Sequence, residues 1–530
     1  MLQTMTPAAT TTRTAFPAVV PTPYDRRGMR SGTVSVVVVA LLWAAAAAVC
    51  ATALAGTPVE VGPLRLAGHV VSGWRGDRLA ALLGLLVTTV GLVVTSFATR
   101  YLQGDRAARR FFLLVPATVA AVLLMVGATT VVGFALGWTL SELGVLGLVG
   151  LHRPGRDAVT AHRTTARAFA LGDVALWASV VVVVSTWGNL DLGAAVRRAP
   201  VTTGHTGAVA ALAVLLPLAV AARCALAPLS RWLPATLAAP TPVSAFLHAG
   251  LVNAGGILLV RLAPVTGGAG VVLWPVFVLG AATVLAAGAS AMVEPSVKGT
   301  LVRSTSAQMG FMVACCGLGW YVAAILHLVA HGLYKSTLFL GSGGAVAGRT
   351  DGRLAPPRAV GRPWARAAAA LLGPAVAVGW AWTHAGPAPG HHQLAGVALL
   401  GWLTAAWLTW GWLGRLTSPG WSAAVVLGVS AGAGAYVLAA RWVGSLVAPS
   451  VSTVPAGAVS PWVGLAAVVV LAGLAVAVRR PRVRGSALGR RAWVAAAGVS
   501  RPRPATTGRR LEPVSSGVPV PAPAAWGVAA

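Results

Sequence analysis

Two lysines and two histidines in one short part of the chain could carry proton chemistry. His327, His331 and Lys335 follow one another at intervals of four residues, which places them on one face of a helix. Only two of the 40 lysine and arginine residues are lysine, Lys298 and Lys335. A lysine removed from water can lose its proton near neutral pH, whereas arginine stays charged. We therefore predict a row of titratable groups that relays protons or another cation.

Other interpretations of these residues stay open. The histidines could be ordinary packing residues that form hydrogen bonds between helices. Lys298 could anchor a helix at the membrane surface beside Glu294, since four residues is the spacing of a helical ion pair. Histidines four residues apart can bind zinc, but no acidic residue completes an HExxH arrangement here. We predict no metal, no cofactor and no catalytic residue in this chain.

The composition requires that these groups lie in a membrane protein. The chain has 530 residues, of which 57% are hydrophobic and only 10% are charged, against about 25% charged residues in soluble proteins. Apolar stretches of about 20 residues recur along most of its length, which is typical of membrane-spanning helices. The formal net charge of +29 comes from arginines between these stretches and in the tails, so we predict lipid contact and no binding of nucleic acid.

The order of apolar and polar segments predicts an all-α, polytopic helix bundle. We expect about 14 transmembrane helices, with 12 to 15 as the range, because irregular backbone is costly in lipid. Residues 1–31 are predicted to be a disordered arm, 32–345 a transmembrane core, 346–478 further transmembrane helices and 479–530 a disordered basic tail. The four cysteines, Cys50, Cys224, Cys315 and Cys316, show no CxxC spacing, so no disulfide framework is predicted.

Four prolines predict broken helices inside the core. Pro228, Pro234, Pro240 and Pro242 lie in 15 residues of otherwise apolar sequence. Each proline removes a backbone donor, and such breaks are tolerated in membranes where they line a polar cavity. His248 follows these breaks at the start of the next apolar stretch.

Isolated acids in apolar segments are a second kind of candidate. Glu142 is the only acid between residues 111 and 150, and Asp173 is the only acid between residues 166 and 187. An ionisable group in lipid needs a partner of opposite charge or a path to water. Glu142 is our carboxylate candidate, and Asp173 could instead mark the end of a helix.

Three motifs carry a resemblance to a known superfamily. They are Pro240–Gly256 (PTPVSAFLHAGLVNAGG), Lys298–Gly310 (KGTLVRSTSAQMG) and His327–Leu340 (HLVAHGLYKSTLFL). In order and spacing they resemble the proton-translocating, antiporter-like subunits of respiratory complex I, Mrp antiporters and membrane hydrogenases, over about residues 80–345. Within that superfamily, Leu247–Arg261 (LHAGLVNAGGILLVR) resembles the DabB family, the membrane subunit of an inorganic carbon pump.

The resemblance implies a function that the residues by themselves do not specify. In the DabB family the partner is DabA, a large zinc-binding protein similar to β-carbonic anhydrases. The expected complex sits in the cytoplasmic membrane and hydrates CO2 to bicarbonate, and an ion gradient of protons or sodium drives it through this multi-pass subunit. The chain alone is not expected to be an enzyme, because carbonic anhydrase chemistry needs a ligated zinc.

The family's ion-pathway residues carry over position by position. The resemblance assigns the pathway to Arg223, His248, Lys298, His327, His331 and Lys335. Arg223 stands where respiratory relatives have a lysine, and it therefore acts as a fixed charge. The usual glutamate after Gly137-Trp138 is Thr139 here, and Glu142, one turn later, is expected to substitute for it. No lysine follows Lys335, where relatives have a later one, and the histidines of the later helices and their loops are His384, His391 and His392.

Two alternatives to the carbon pump remain from the sequence. The first is a proton-pumping subunit of an NADH-quinone oxidoreductase, similar to subunit L of complex I, or an Mrp-type antiporter. The second is a membrane anchor that conducts no ion, in which the basic tail and partner contacts matter while Lys298, His327 and Lys335 do not.

Overall fold

The protein is described by a computed structural model that covers most of the hydrophobic sequence. The described residues are 23–66, 69–153, 155–192, 205–266, 269–343, 363–384, 391–414 and 418–451, with Ala466 and Gly473. The predicted helix near 460–478, most of the arm 1–31 and the basic tail 479–530 lie outside the described residues, apart from Ala466, Gly473 and residues 23–31.

In the described part of the amino-terminal half, the bundle contains six helices and one hairpin. Their bounds are α1 Pro23–Leu54, β1 Glu60–Leu66, β2 His69–Arg75, α2 Arg78–Tyr101, α3 Ala108–Gly127, α4 Val131–Val149, α5 Arg156–Trp187 and α6 Thr206–Arg223. Helix α1 begins inside the segment predicted to be disordered. Its first residue is proline, which suits the first turn of a helix because that backbone position has no intrahelical acceptor.

Short, interrupted helices follow before the long ones resume. A 3-10 turn at Leu229–Arg231, α7 Trp232–Ala235 and a second turn at Thr236–Ala238 precede α8 Thr241–Ala249, a 3-10 turn at Leu251–Asn253, α9 Ala254–Arg261 and α10 Ala263–Thr266. The remaining helices are α11 Gly270–Val293, α12 Val297–Gly317, α13 Tyr321–Leu340, α14 Pro363–His384, α15 His391–Leu413 and α16 Pro419–Val447.

The predicted all-α membrane architecture is confirmed in the described part of the chain. Eleven of its helical segments are long and apolar enough to cross a membrane. Two further predicted segments form α12 and α15, which are helical but are not among those eleven. Helix α12 carries Lys298, Arg303 and Gln308, and these polar residues lower its hydropathy.

The hairpin of β1 and β2 was not predicted from the sequence. Its antiparallel pairs run from Glu60 opposite Arg75 to Leu66 opposite His69. The indole of Trp74 donates a hydrogen bond to the Leu123 carbonyl oxygen over 2.9 Å, and Thr130 donates one to the Val71 carbonyl oxygen over 2.6 Å. These bonds hold the hairpin against the ends of α3 and α4. The helical periodicity that we sought in the sequence does not reveal such short strands.

One buried ion pair ties three helices together at the end of the bundle that carries the hairpin. Arg261 at the end of α9 donates to both carboxylate oxygens of Asp77 over 2.6 and 2.9 Å, and to the Val126 carbonyl oxygen over 2.8 Å. Asp77 also caps α2 by accepting from the Ala80 amide. The side chain of Arg261 is 5% exposed. Bidentate hydrogen bonds of this kind are among the strongest that arginine forms with a carboxylate.

Removing the Asp77 charge tests whether this pair holds the bundle. The substitution Asp77→Asn keeps a residue that can cap a helix but leaves the buried Arg261 charge unpaired, at a cost of about 3–5 kcal/mol. We expect a lower midpoint of thermal unfolding in detergent. The matched control is Glu60→Gln, since the Arg75–Glu60 pair is exposed and contributes at most about 1 kcal/mol. Equal midpoints for the two variants would contradict the assignment.

Candidate functional site

The first helix break follows Arg223, as the prolines predicted. Helix α6 ends at Arg223, and the chain continues as single turns until α8 begins at Thr241. The Ala227 amide, freed by the break, donates to the Thr283 hydroxyl oxygen on α11 over 3.1 Å. Backbone groups released inside the bundle therefore find partners on neighbouring helices, as a membrane interior requires.

The second break separates α8 from α9 at Gly250. The Leu251 carbonyl oxygen accepts a hydrogen bond from Arg223 Nε over 3.2 Å, and the Ala249 carbonyl oxygen accepts one from the Asn253 side chain over 3.0 Å. The two breaks are thus joined, because a side chain from the first satisfies a carbonyl of the second. His248 lies on α8 just before this point.

Arg223 is the centre of a buried charged cluster. Its Nη1 lies 3.1 Å from Glu142 Oε1, and its Nη2 donates to the Ser141 hydroxyl over 2.7 Å. The guanidinium also lies over the rings of Trp138 and Phe169, 5.2 and 5.3 Å from their centres. Arg223 and Glu142 have side chains only 1% and 3% exposed. The structure therefore brings together two of the residues that the sequence singled out.

Asp173 adds a second carboxyl group beside this cluster. It accepts a hydrogen bond from the Thr139 hydroxyl over 3.3 Å, and Thr139 in turn accepts one from the Trp177 indole over 3.2 Å. Thr139 lies one helical turn before Glu142 on α4, so this bond brings Asp173 close to the cluster. The suggestion that Asp173 marks a helix end is wrong, because α5 extends to Trp187. Its isolation in an apolar segment was the signal that could have identified it.

The histidines and Lys335 form a separate row, which is buried except at the half-buried His327. The His248 ring stacks on Phe339 with ring centres 4.5 Å apart, and the rings of His327 and His331 lie 5.8 Å apart. His248, His331 and Lys335 are all at most 1% exposed. His248 and His331 have no hydrogen-bond partner at either ring nitrogen among the described residues, and the same holds for Nε2 of His327.

Lys335 is held by neutral groups. Its Nζ donates to the Ser304 hydroxyl over 2.7 Å and to the Leu301 carbonyl oxygen over 2.9 Å, both on α12. None of the ion pairs between described residues includes Lys335. A buried ammonium without a carboxylate partner is costly in its charged form. This arrangement suits a group that takes up and releases a proton.

Lys298 lies apart from that row. It is the second residue of α12, is exposed, and donates to the Thr241 hydroxyl over 2.7 Å. The Tyr101 hydroxyl reaches the same Thr241 oxygen over 3.2 Å. The alternative ion pair with Glu294 is not among those formed by the described residues. Lys298 is therefore at the end of the bundle, where it connects the first turns of α8 and α12.

A glycine allows α13 to approach the second break. A Cβ atom on Gly332 would lie 2.7 Å from the Ala249 carbonyl oxygen. Gly332 follows His331 directly, so this close approach sets the distance between the histidine row on α13 and His248 on α8.

Side chains that could ligate a metal ion are not clustered in the described residues. They contain no group of three or more His, Cys, Asp or Glu side chains that could hold a metal ion. The four cysteines are unbonded. The absence of a metal or cofactor from the whole chain stays a prediction.

Fold and site together define a polytopic membrane protein with an antiporter-like core. The model of the transmembrane family "NADH:quinone oxidoreductase/Mrp antiporter" matches residues 128–354, and that of the amino terminus of chain 5 of complex I matches residues 67–112. These ranges agree with the extent of resemblance expected from the motifs.

Two of the most similar relatives carry the same family name. The chain is 34% identical over 355 residues to the "Probable inorganic carbon transporter subunit DabB" of Bacillus subtilis, which covers 66% of this chain and 69% of that protein. It is 36% identical over 274 residues to subunit DabB1 of Halothiobacillus neapolitanus, covering 51% of this chain and 49% of that protein. The chain belongs to the DabB family within the antiporter-like superfamily.

A solved structure supports the fold. The chain is similar to one in the Mrp complex from Dietzia sp. DQ12-45-1b, with a TM-score of 0.53 and 23% sequence identity. The match covers 90% of this chain and 51% of that one. At this identity the likeness concerns the fold alone.

The close approach at Gly332 generates a prediction. The substitution Gly332→Ala places a methyl group against a backbone oxygen, and overpacking of this kind costs about 1–3 kcal/mol. We expect a lower unfolding midpoint in detergent. The matched control is Gly288→Ala on α11, where a Cβ would meet nothing within 4 Å and alanine favours the helix. A Gly332→Ala protein as stable as the control would show that α13 can move away at no cost.

Proposed function

We propose that this chain is the membrane subunit of an energy-coupled inorganic carbon pump. In this proposal it conducts protons, or another cation such as sodium, and so drives the accumulation of CO2 as bicarbonate. The relatives named as probable inorganic carbon transporter subunits support the substrate class. The row of His248, His327, His331 and Lys335 supports the ion conduction.

The single observation that carries the proposal is Lys335 with only neutral partners beside imidazoles that lack partners. A structural lysine in a membrane is expected to pair with a carboxylate, and a structural histidine is expected to use its ring nitrogens in hydrogen bonds. A group that takes up and releases a proton instead needs a nitrogen that is free to accept it. A proton moving through such a row is driven by about 2.3 kcal/mol for each 100 mV of membrane potential.

A large zinc-binding subunit similar to DabA is the proposed partner. Hydration of CO2 needs a metal-activated water, and this chain offers no ligand set for one in its described part. Hydration releases a proton. Conduction of that proton away from the partner's site would shift the equilibrium towards bicarbonate, and this coupling is the role proposed for the present subunit.

The proposed location is the cytoplasmic membrane, with the basic end of the bundle inside the cell. The connections from α2 to α3 and from α4 to α5 lie at the same end, because α3 and α4 are single passes. They carry Arg106, Arg153 and the flanking Arg100, Arg109, Arg110 and Arg156. Cytoplasmic loops are enriched in arginine and lysine, so this end is proposed to face the cytoplasm.

A respiratory or Mrp-type antiporter subunit is the second candidate function. It is favoured by the descriptions of the two matching family models. The absence of any lysine after Lys335 speaks against it, because the respiratory pattern expects a later one. A non-conducting anchor is the third candidate, and it leaves the unpartnered imidazoles without explanation.

Substitutions in the row test conduction. We expect Lys335→Ala and His248→Ala to lower carbon uptake to that of cells lacking the gene, while the complex still assembles. Lys335→Arg separates two roles, since arginine keeps the charge but cannot cycle its proton, and we expect it to fail as well. The matched control is His384→Ala, an exposed histidine on α14, which should retain uptake. Normal uptake in both alanine variants of the row would contradict the assignment.

Purification of the tagged subunit under mild solubilisation tests the partner. We expect one large protein to accompany it with about one zinc per complex, because hydration chemistry of this kind uses a single catalytic zinc. Flavin and iron–sulfur subunits would support the respiratory candidate instead. A subunit that purifies alone and exchanges cations in liposomes would support the antiporter.

A further inference from the structure

The cluster around Arg223 contains one positive charge and two carboxyl groups. Arg223 on α6 faces Glu142 on α4. Asp173 on α5 accepts a hydrogen bond from Thr139, which lies one helical turn before Glu142 on α4. These are the three charged groups of the cluster. The surrounding groups are neutral: Trp138, Thr139, Ser141, Phe169 and Trp177.

The contacts leave hydrogen-bonding capacity unused. Glu142 is only 2% exposed. Its ion pair with Arg223 is close but is not aligned as a hydrogen bond. Both carboxyl oxygens of Glu142 therefore lack a hydrogen-bond partner among the described residues. Oδ1 of Asp173 is also buried and unpartnered. The Trp138 indole N–H is also buried and without a partner there. Three of the four carboxyl oxygens of Glu142 and Asp173 therefore lack a hydrogen-bond donor among the described residues.

The balance of charges also favours one proton on the two carboxyls. Arginine does not lose its proton in proteins, so Arg223 balances only one carboxylate. With both carboxyls ionised, the buried cluster would carry one net negative charge, which is costly away from water. Two adjacent carboxyls then titrate as a pair, and the first proton is held jointly.

We propose that Glu142 and Asp173 share one exchangeable proton, which makes this pair a proton site of the subunit. The proton is covalently bound to one carboxyl and hydrogen-bonded to the other carboxylate, and the cluster is neutral. When the proton leaves to a water molecule or a neutral imidazole, the cluster becomes singly negative while Arg223 keeps its charge. The pair thus exchanges the proton at a position where Arg223 cannot.

The role of this proton site rests on the proposed function, but its existence can be tested without measuring transport. The probe is infrared difference spectroscopy on the full-length chain in lipid membranes, with 13C-labelled aspartate or glutamate to assign bands. A protonated carboxylic acid has a C=O stretching band distinct from the carboxylate bands. The readout therefore counts buried protonated carboxyls whether or not the protein moves carbon.

Three substitutions test whether the proton is shared. With Asp173→Asn or Glu142→Gln, the remaining carboxyl pairs one-to-one with Arg223 and ionises, so the band at neutral pH is lost in both. With Arg223→Gln both carboxyls are protonated and the band becomes about twofold stronger. The matched control is Asp157→Asn, an exposed acid on the same helix α5, which leaves the band unchanged.

Several results would overturn the shared proton. A band of full strength in either single carboxyl variant means that one carboxyl holds its own proton. No band in the unsubstituted protein means that both are ionised. An unchanged band in Arg223→Gln refutes the idea that Arg223 balances one of the two carboxylates. If that variant does not assemble, the spectra of the two carboxyl variants decide whether the proton is shared. Loss of carbon uptake without these spectral changes would refute the shared proton and leave the proposed pump standing, whereas the spectral changes with normal uptake would show that the pair takes no part in the conduction that drives the pump.

Discussion

The structure depends on a permanent positive charge held inside a membrane bundle. Arg223 is 1% exposed and cannot become neutral, so the fold has to supply its partners. Glu142 gives the countercharge, Ser141 a hydroxyl, the Leu251 carbonyl a backbone acceptor, and Trp138 and Phe169 two aromatic faces. Four helical segments are therefore fixed around one guanidinium, and a charge of this kind is tolerated in lipid only with such partners.

The two helix breaks provide the backbone acceptor that the Arg223 side chain needs. A continuous helix satisfies its own carbonyls and would offer Arg223 no backbone acceptor. Because the chain is interrupted after Arg223 and again at Gly250, a free carbonyl lies within reach of the side chain. The second break also ends α8 directly after His248, where α13 can approach through Gly332. The breaks thus connect the charged cluster to the elements that carry the histidine row.

Two departures expected from the superfamily resemblance, Arg223 and Thr139, fall in this cluster. The resemblance places Thr139 at the position of the usual glutamate, and its hydroxyl donates to Asp173. Glu142, one turn later, meets Arg223. The balance of one cation and two carboxyls results from all of these residues together, since restoring a lysine at position 223 would allow the base itself to exchange the proton.

The sequence by itself determined the membrane bundle, the broken helices and the shared face of His327, His331 and Lys335, because composition, proline and helical spacing are local properties. Tertiary structure alone decided which distant groups meet. Lys298 bonds Thr241 rather than Glu294, Asp173 accepts from Thr139 one turn from Glu142, and the hairpin packs against α3 and α4. Such contacts join residues tens of positions apart, and they depend on how the helices pack, which no local periodicity records.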